Sequence, residues 1–123
     1  MKLDFAVCAD YAAVDAAGKL TIVGIFDFIN AATFPASWPD MVLLLRLKIH
    51  RSELGTAQKV VVKLATEDGH QLIQVEGEFN SGPVPGKQPA VESSVNHILR
   101  FQNMTFPRPG VYTFDILINN SVA

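Results

Sequence analysis

Residues 3–28, LDFAVCADYAAVDAAGKLTIVGIFDF, decide the fold class of this chain. Apolar side chains occupy every second position from Leu3 to Tyr11, and a second run with the same period begins at Leu20. A period of two is the spacing of side chains along one face of a β-strand. Between the two runs, Gly18 supplies the positive φ that a tight turn requires. The stretch therefore predicts a β-hairpin at the start of the fold.

The same strand pattern recurs along the rest of the chain. Five further strands are predicted, over residues 41–50, 58–67, 70–79, 94–106 and 111–119. The dipeptide Asp68-Gly69 separates the second and third of these and is a strong signal for a hairpin turn. Proline-containing loops are predicted at 30–40 and 80–93, whereas 51–57 is predicted to hold one turn of helix or a loop.

Seven strands without a convincing helix favour two packed antiparallel sheets. The spacing of Gly110, Tyr112 and Phe114 is similar to the tyrosine corner of immunoglobulin domains. We therefore predict an all-β fold, a seven-stranded antiparallel immunoglobulin-like β-sandwich. The alternatives are a jelly roll and a closed barrel. A length of 123 residues predicts a single domain over residues 1–123.

Composition narrows the classes of partner. Ten Lys and Arg against twelve Asp and Glu give a net charge of −2, so we expect no nucleic acid and no membrane as partner. Apolar runs such as 41–45 are far shorter than the roughly 20 residues that cross a bilayer. Asp4 and Asp10 interrupt the stretch that would have to serve as a signal peptide. The single cysteine excludes an internal disulfide framework, and we expect a cytoplasmic location.

The residue types that commonly carry catalysis are sparse. Cys8 has no Lys or Arg within five residues that would activate its thiol, so we expect an inert, buried side chain. His50, His70 and His97 do not form a pair at i, i+2 or i+4, the spacings that present two imidazoles together. The sequence thus predicts no metal, no cofactor and no catalytic residue.

Four aspartates, Asp4, Asp10, Asp15 and Asp27, lie in or near the first hairpin. Paired carboxylates act as acid and base only where they converge in one pocket. Asp4 and Asp10 lie about 20 Å apart along one strand. We therefore expect solvated side chains that also discourage the pairing of strand edges.

Two features predict an interaction surface. The segment FPASWP at 34–39 places Phe34 and Trp38, the only tryptophan, in a loop, where aromatic side chains often anchor partners. The last strand carries Ile116 and Ile118, and no further strand is predicted beside it, which would leave an unpaired edge. The candidate interface residues are therefore Phe34, Trp38, Ile116 and Ile118.

Three stretches carry a resemblance to a known family. They are LDFAVCADYAAVDAAGKLTIVGIFD at 3–27, FPASWPDMVLLLRL at 34–47 and FPRPGVYTFDILIN at 106–119. Together they resemble a family of uncharacterised bacterial proteins, a domain of unknown function. The resemblance implies a β-sandwich and supplies no catalytic residue. It also implies a glycine-containing turn and one more strand after the final Asn-Asn, where this chain has Ser-Val-Ala.

We expect a non-catalytic binding or assembly module of bacterial origin that forms a homo-oligomer or binds a protein partner. The first alternative is a small hydrolase or a small-ligand-binding sandwich that uses Asp27 with His50 or His97. The second, an accessory protein of phage or secretion machinery, rests on fold analogy alone.

Overall fold

The computed structural model describes residues 1–80 and 91–123, and nearly all of their regular structure is β-strand. The strands are β1 (Lys2–Val14), β2 (Leu20–Phe26), β3 (Ala36–His50), β4 (Ala57–Thr66), β5 (Gln71–Asn80), β6 (Glu92–Phe106), β7 (Tyr112–Ile118) and β8 (Ser121–Val122). A 3-10 helix, Arg51–Glu53, connects β3 to β4. The all-β prediction is confirmed, and the described residues hold eight strands where the sequence predicted seven.

The strands form two open antiparallel sheets of four strands. The first sheet has the order β2-β1-β3-β6, and the second has the order β5-β4-β7-β8. The chain divides into two compact units, one of Met1–Leu3, Lys48–Ser94 and Gly110–Ala123, the other of Asp4–Leu47 and Val95–Pro109. The second sheet lies in the first of these units, and most of the first sheet lies in the second unit.

The predicted first hairpin is present. Strand β1 pairs antiparallel with β2, and Tyr11 lies opposite Val23. The turn is held by Asp15, whose Oδ1 accepts hydrogen bonds of 2.9 Å from the amides of Ala17 and Lys19. An aspartate that binds the amides of residues close to it in the chain stabilises a turn by local contacts alone.

Strand β3 supplies the most buried run of the chain. Residues 41–45 are all buried, so side chains on both of its faces are excluded from water. On one side, Ala9 and Ala12 of β1 form a buried cluster with Val42, and Ile22 and Ile98 pack against it.

The prediction of a loop over 30–40 is wrong at its end, because β3 begins at Ala36 and includes Pro39. A residue that precedes proline is restricted to extended backbone, which a strand can use. The loop predicted at 80–93 lies mostly outside the described residues, and β6 begins at Glu92.

The second sheet is built on β4. Val62 lies opposite Val75 of β5 on one side and opposite Ile116 of β7 on the other. The turn after β4 uses Gly69 with a φ of +84°, as the Asp-Gly signal predicted. This hairpin prediction is confirmed.

The last hairpin turns at Asn119 and Asn120, which have φ values of +50° and +67°. Positive φ at both central residues is typical of the type I′ turn of a two-residue hairpin. The side chain of Asn119 reaches β4: its Oδ1 accepts from the amide of Lys59 at 2.9 Å, and its Nδ2 donates to Gln58 Oε1 at 2.8 Å. Asn119 thereby satisfies a polar side chain, Gln58, that is only 5 % exposed.

Replacing Asn119 by alanine tests this contact. We expect Asn119→Ala to lower the free energy of unfolding by about 1–3 kcal/mol, because the buried Gln58 oxygen loses its donor. Asn120→Ala is the matched control, since it places alanine at a positive φ as Asn119→Ala does and removes no described contact of the Asn120 side chain. Denaturant titrations measure both, and equal stability of the two variants would contradict the assignment.

Two glycines of the first hairpin offer a second test. Gly18 and Gly24 both have positive φ, but a Cβ on Gly24 would lie 2.4 Å from Asp10 Oδ2, whereas a Cβ on Gly18 would meet open space. We expect Gly18→Ala to cost about 1–2 kcal/mol from backbone conformation alone. Gly24→Ala adds a steric clash and should cost more. Thermal unfolding of both variants gives the comparison, and a smaller loss at Gly24 would show that the Asp10 contact does not constrain β2.

Candidate interaction surface

The outward side of hairpin β1–β2 carries apolar side chains. Tyr11, Val23 and Ile25 are 46 %, 53 % and 63 % exposed. Tyr11 and Val23 are directly paired, and Ile25 lies opposite Ala9. The guanidinium of Arg100, on β6, lies 5.6 Å from the centroid of the Tyr11 ring, which is cation–π distance. Tyrosine and arginine are enriched among the residues that dominate binding energy at protein interfaces.

The sequence of β2 explains this exposure. Leu20, Ile22 and Phe26 are half-buried, as their shared face predicted, whereas Val23 and Ile25 point outward. A strand with apolar side chains on both faces is usually covered on both. Here the described residues cover only one of them. This surface was not predicted from the sequence, although β2 contains no charged residue, which is a signal of it.

The predicted anchor Trp38 lies in strand β3 and not in a loop, and its ring lies beside the end of the same hairpin. Its ring is half-buried and its centroid lies 6.2 Å from that of Phe26. The indole Nε1 is buried and has no hydrogen-bond acceptor among the described residues. Phe34 is 37 % exposed. Trp38 therefore supports the hairpin, and Phe34 presents part of its ring to solvent.

Ile116 and Ile118, the other two predicted interface residues, are in the interior of their unit. They are 7 % and 6 % exposed, and β7 pairs with β4 on one side. The short strand β8 covers part of the other side, with Leu117 opposite Val122. The residues after the Asn-Asn turn thus pair with the last part of β7, where an unpaired edge was expected, and both isoleucines are buried.

His50 has a structural role at the start of the 3-10 helix. Its Nδ1 accepts from the amide of Ser52 at 3.1 Å and lies 2.8 Å from Ser52 Oγ, while its own amide donates to Glu53 Oε1. These reciprocal bonds form a capping box. The amino group of Met1 also contacts the Glu53 carboxylate, and these two donors lower the pKa of Glu53.

No hydrogen bond or ion pair among the described residues joins Asp4, Cys8, Asp27 and His97 to one another. Asp4 forms an ion pair with Arg46 at 3.7 Å. Burial raises the pKa of the Cys8 thiol, which keeps the sulfur protonated and weakly reactive. Burial also lowers the pKa of His97. Asp27 has no hydrogen bond or ion pair with any described residue, so the described contacts do not join it to His97.

No group of three or more His, Cys, Asp or Glu in residues 1–80 and 91–123 is arranged to hold a metal ion. No helix in the same part of the chain has the length and apolar character of a membrane span.

These features define a class: an all-β protein of two four-stranded antiparallel sheets with an exposed apolar hairpin at one sheet edge. The chain belongs to the family of unknown function DUF6941, whose model matches residues 4–123. The resemblance to an uncharacterised family is thereby confirmed. Neither the curated proteins nor the solved structures contain a match to the chain.

Two substitutions at Trp38 separate packing from hydrogen bonding. We expect Trp38→Ala to lower the free energy of unfolding by about 1–3 kcal/mol, because the contact with Phe26 is lost. The loss should be smaller than for a fully buried tryptophan, since Trp38 is only half-buried. Trp38→Phe keeps an aromatic ring and removes the unsatisfied N–H, so it should stay within about 1 kcal/mol of the parent. Denaturant titrations measure both values. Equal losses would show that the ring contact does not hold the hairpin.

Proposed function

We propose that this chain is a non-catalytic binding and assembly module of a bacterial cytoplasm, acting through the surface of hairpin β1–β2. The observation that carries the proposal is the exposure of Tyr11, Val23 and Ile25 on two paired strands. Single exposed apolar side chains are common on monomers, but a contiguous group is typical of an interaction site. Arg100 adds a cation over the Tyr11 ring and suits the polar rim of such a surface.

The segment 34–38, which runs into the start of β3, extends this surface. Trp38 contacts Phe26, the last residue of β2, so the segment and the hairpin are continuous. Phe34 is part of the proposed interface, and Trp38 is a residue that positions the hairpin. Candidate catalytic groups add no competing observation, because His50 is engaged in a cap and Asp4 in an ion pair.

The finer classification of the fold is also a proposal. The immunoglobulin-like arrangement of the constant type has seven strands, whereas a jelly roll has eight. The eight strands in the described residues match the jelly roll, the alternative that the sequence left open, in strand number.

Native mass spectrometry of the protein purified from its own cells tests the assembly function. We expect a species heavier than the 13.4 kDa chain, either a multiple of that mass or a complex with a second protein. The substitution Tyr11→Ser should reduce the amount of the heavier species. Tyr112→Ser, at the start of β7, should leave that amount unchanged. A monomer that retains a small molecule would contradict the proposal and favour a ligand-binding function.

A further inference from the structure

The edge position of β2 leaves one side of the strand without a neighbour among the described strands. In an antiparallel ladder, alternate residues of an edge strand direct both the N–H and the C=O away from the sheet. Such groups can pair with another strand, and proteins usually protect them with charges, prolines, irregular backbone or short length.

The other three edges have these protections. Strand β5 exposes Glu76 and Glu78, and β8 has only two residues. Strand β6 exposes the charged side chain of Arg100 near its middle. Strand β2, with the sequence LTIVGIF, has no charge and no proline.

The positive φ of Gly24 does not prevent the free side of β2 from pairing with another strand. This φ is +69°, but the β1–β2 pairs on both sides of Gly24 keep the same register: Val23 lies opposite Tyr11, and Ile25 lies opposite Ala9. No residue is inserted on one strand alone, so β2 continues past Gly24 and presents a seven-residue edge.

Charges occur only at the two ends of this edge. Lys19 directly precedes β2 and Asp27 directly follows it, each four residues from Val23. Both are exposed, and neither side chain has an ion pair with a described residue. They lie roughly 26 Å apart along an extended strand and therefore cannot neutralise each other within one copy.

We propose that β2 pairs antiparallel with β2 of a second copy of this chain, centred on Val23, so that Lys19 of each copy faces Asp27 of the other. Antiparallel pairing about Val23 sets each residue against the one equally far from Val23 on the opposite side. The two charges are thus complementary in that register, and every pair between them is uncharged. A twofold interface requires this kind of self-complementary patch. The inference rests on the proposed function and names its partner.

Charge reversal tests the register. Sedimentation of the purified parent should show a dimer in equilibrium with the monomer. Asp27→Lys and Lys19→Glu each convert two attractive pairs into two repulsive ones and should weaken the dimer about tenfold or more. The double variant Lys19→Glu/Asp27→Lys restores opposite charges and should recover the affinity of the parent to within about threefold. Glu78→Lys on β5 changes the net charge as Asp27→Lys does and should leave the dimer unchanged.

A cross-linking experiment tests the twofold position independently of affinity. In a Cys8→Ser background, Val23→Cys places two thiols across the axis, where the Cα atoms of paired residues lie about 4.5–5.5 Å apart. That separation suits a disulfide. We expect a disulfide-linked dimer under mild oxidation. Val111→Cys, at a valine that is 63 % exposed outside the strands, should stay monomeric under the same conditions.

The outcomes separate this inference from the proposed function. A parent that stays monomeric at hundreds of micromolar, or single variants that dimerise as the parent does, would overturn the pairing of β2 with itself. If the native preparation then still contained a Tyr11-dependent complex with another protein, assembly through the hairpin would stand and only its partner would be wrong. A monomer in both preparations would overturn both.

Discussion

Burial of the apolar run in β3 is the constraint on which the arrangement of the first sheet depends. Residues 41–45 are at most 2 % exposed, although neighbouring side chains of a strand point to opposite faces. Such a strand has to lie inside its sheet, and β3 is flanked by β1 and β6. Ala9 and Ala12 of β1 form a buried cluster with Val42, and Ile22 of β2 packs against the same cluster.

The edge position of β2 follows from this constraint. Strand β1 is bonded on one side to β3, so its hairpin partner has to take the other side. Two local contacts then fix how β2 lies there: Asp15 binds the amides of the turn, and the side chain of Asp10 lies where a Cβ of residue 24 would be. Glycine adopts the positive φ of position 24 without strain, and the exposed side chains of Val23 and Ile25 are held in a defined register.

Local chemistry decided which parts of the fold the sequence could predict. The turns at Gly18 and Asp68-Gly69 depend on residues adjacent in the chain, and both hairpins were predicted correctly. Strand order depends on pairing between distant segments, which one sequence does not show. The sequence therefore placed Ile116 at an open edge, where the structure has β8 beside β7. The exposed surface of β2 failed to stand out for the same reason, because apolar alternation is identical in an edge strand and in an interior one.

An uncharged edge alone would pair with any exposed strand, which is an aggregation hazard. The opposite charges at the two ends of β2 give the edge a preference among these pairings. Parallel pairing in register would set Lys19 against Lys19 and Asp27 against Asp27, and like charges in contact are repulsive. An antiparallel pairing shifted by two residues moves each lysine away from the aspartate of the other copy. An interface selects its partner when one register is attractive and the other registers are repulsive or lack that attraction. In the pairing that we propose, the charges that flank β2 thus favour a second copy of this chain over other exposed strands.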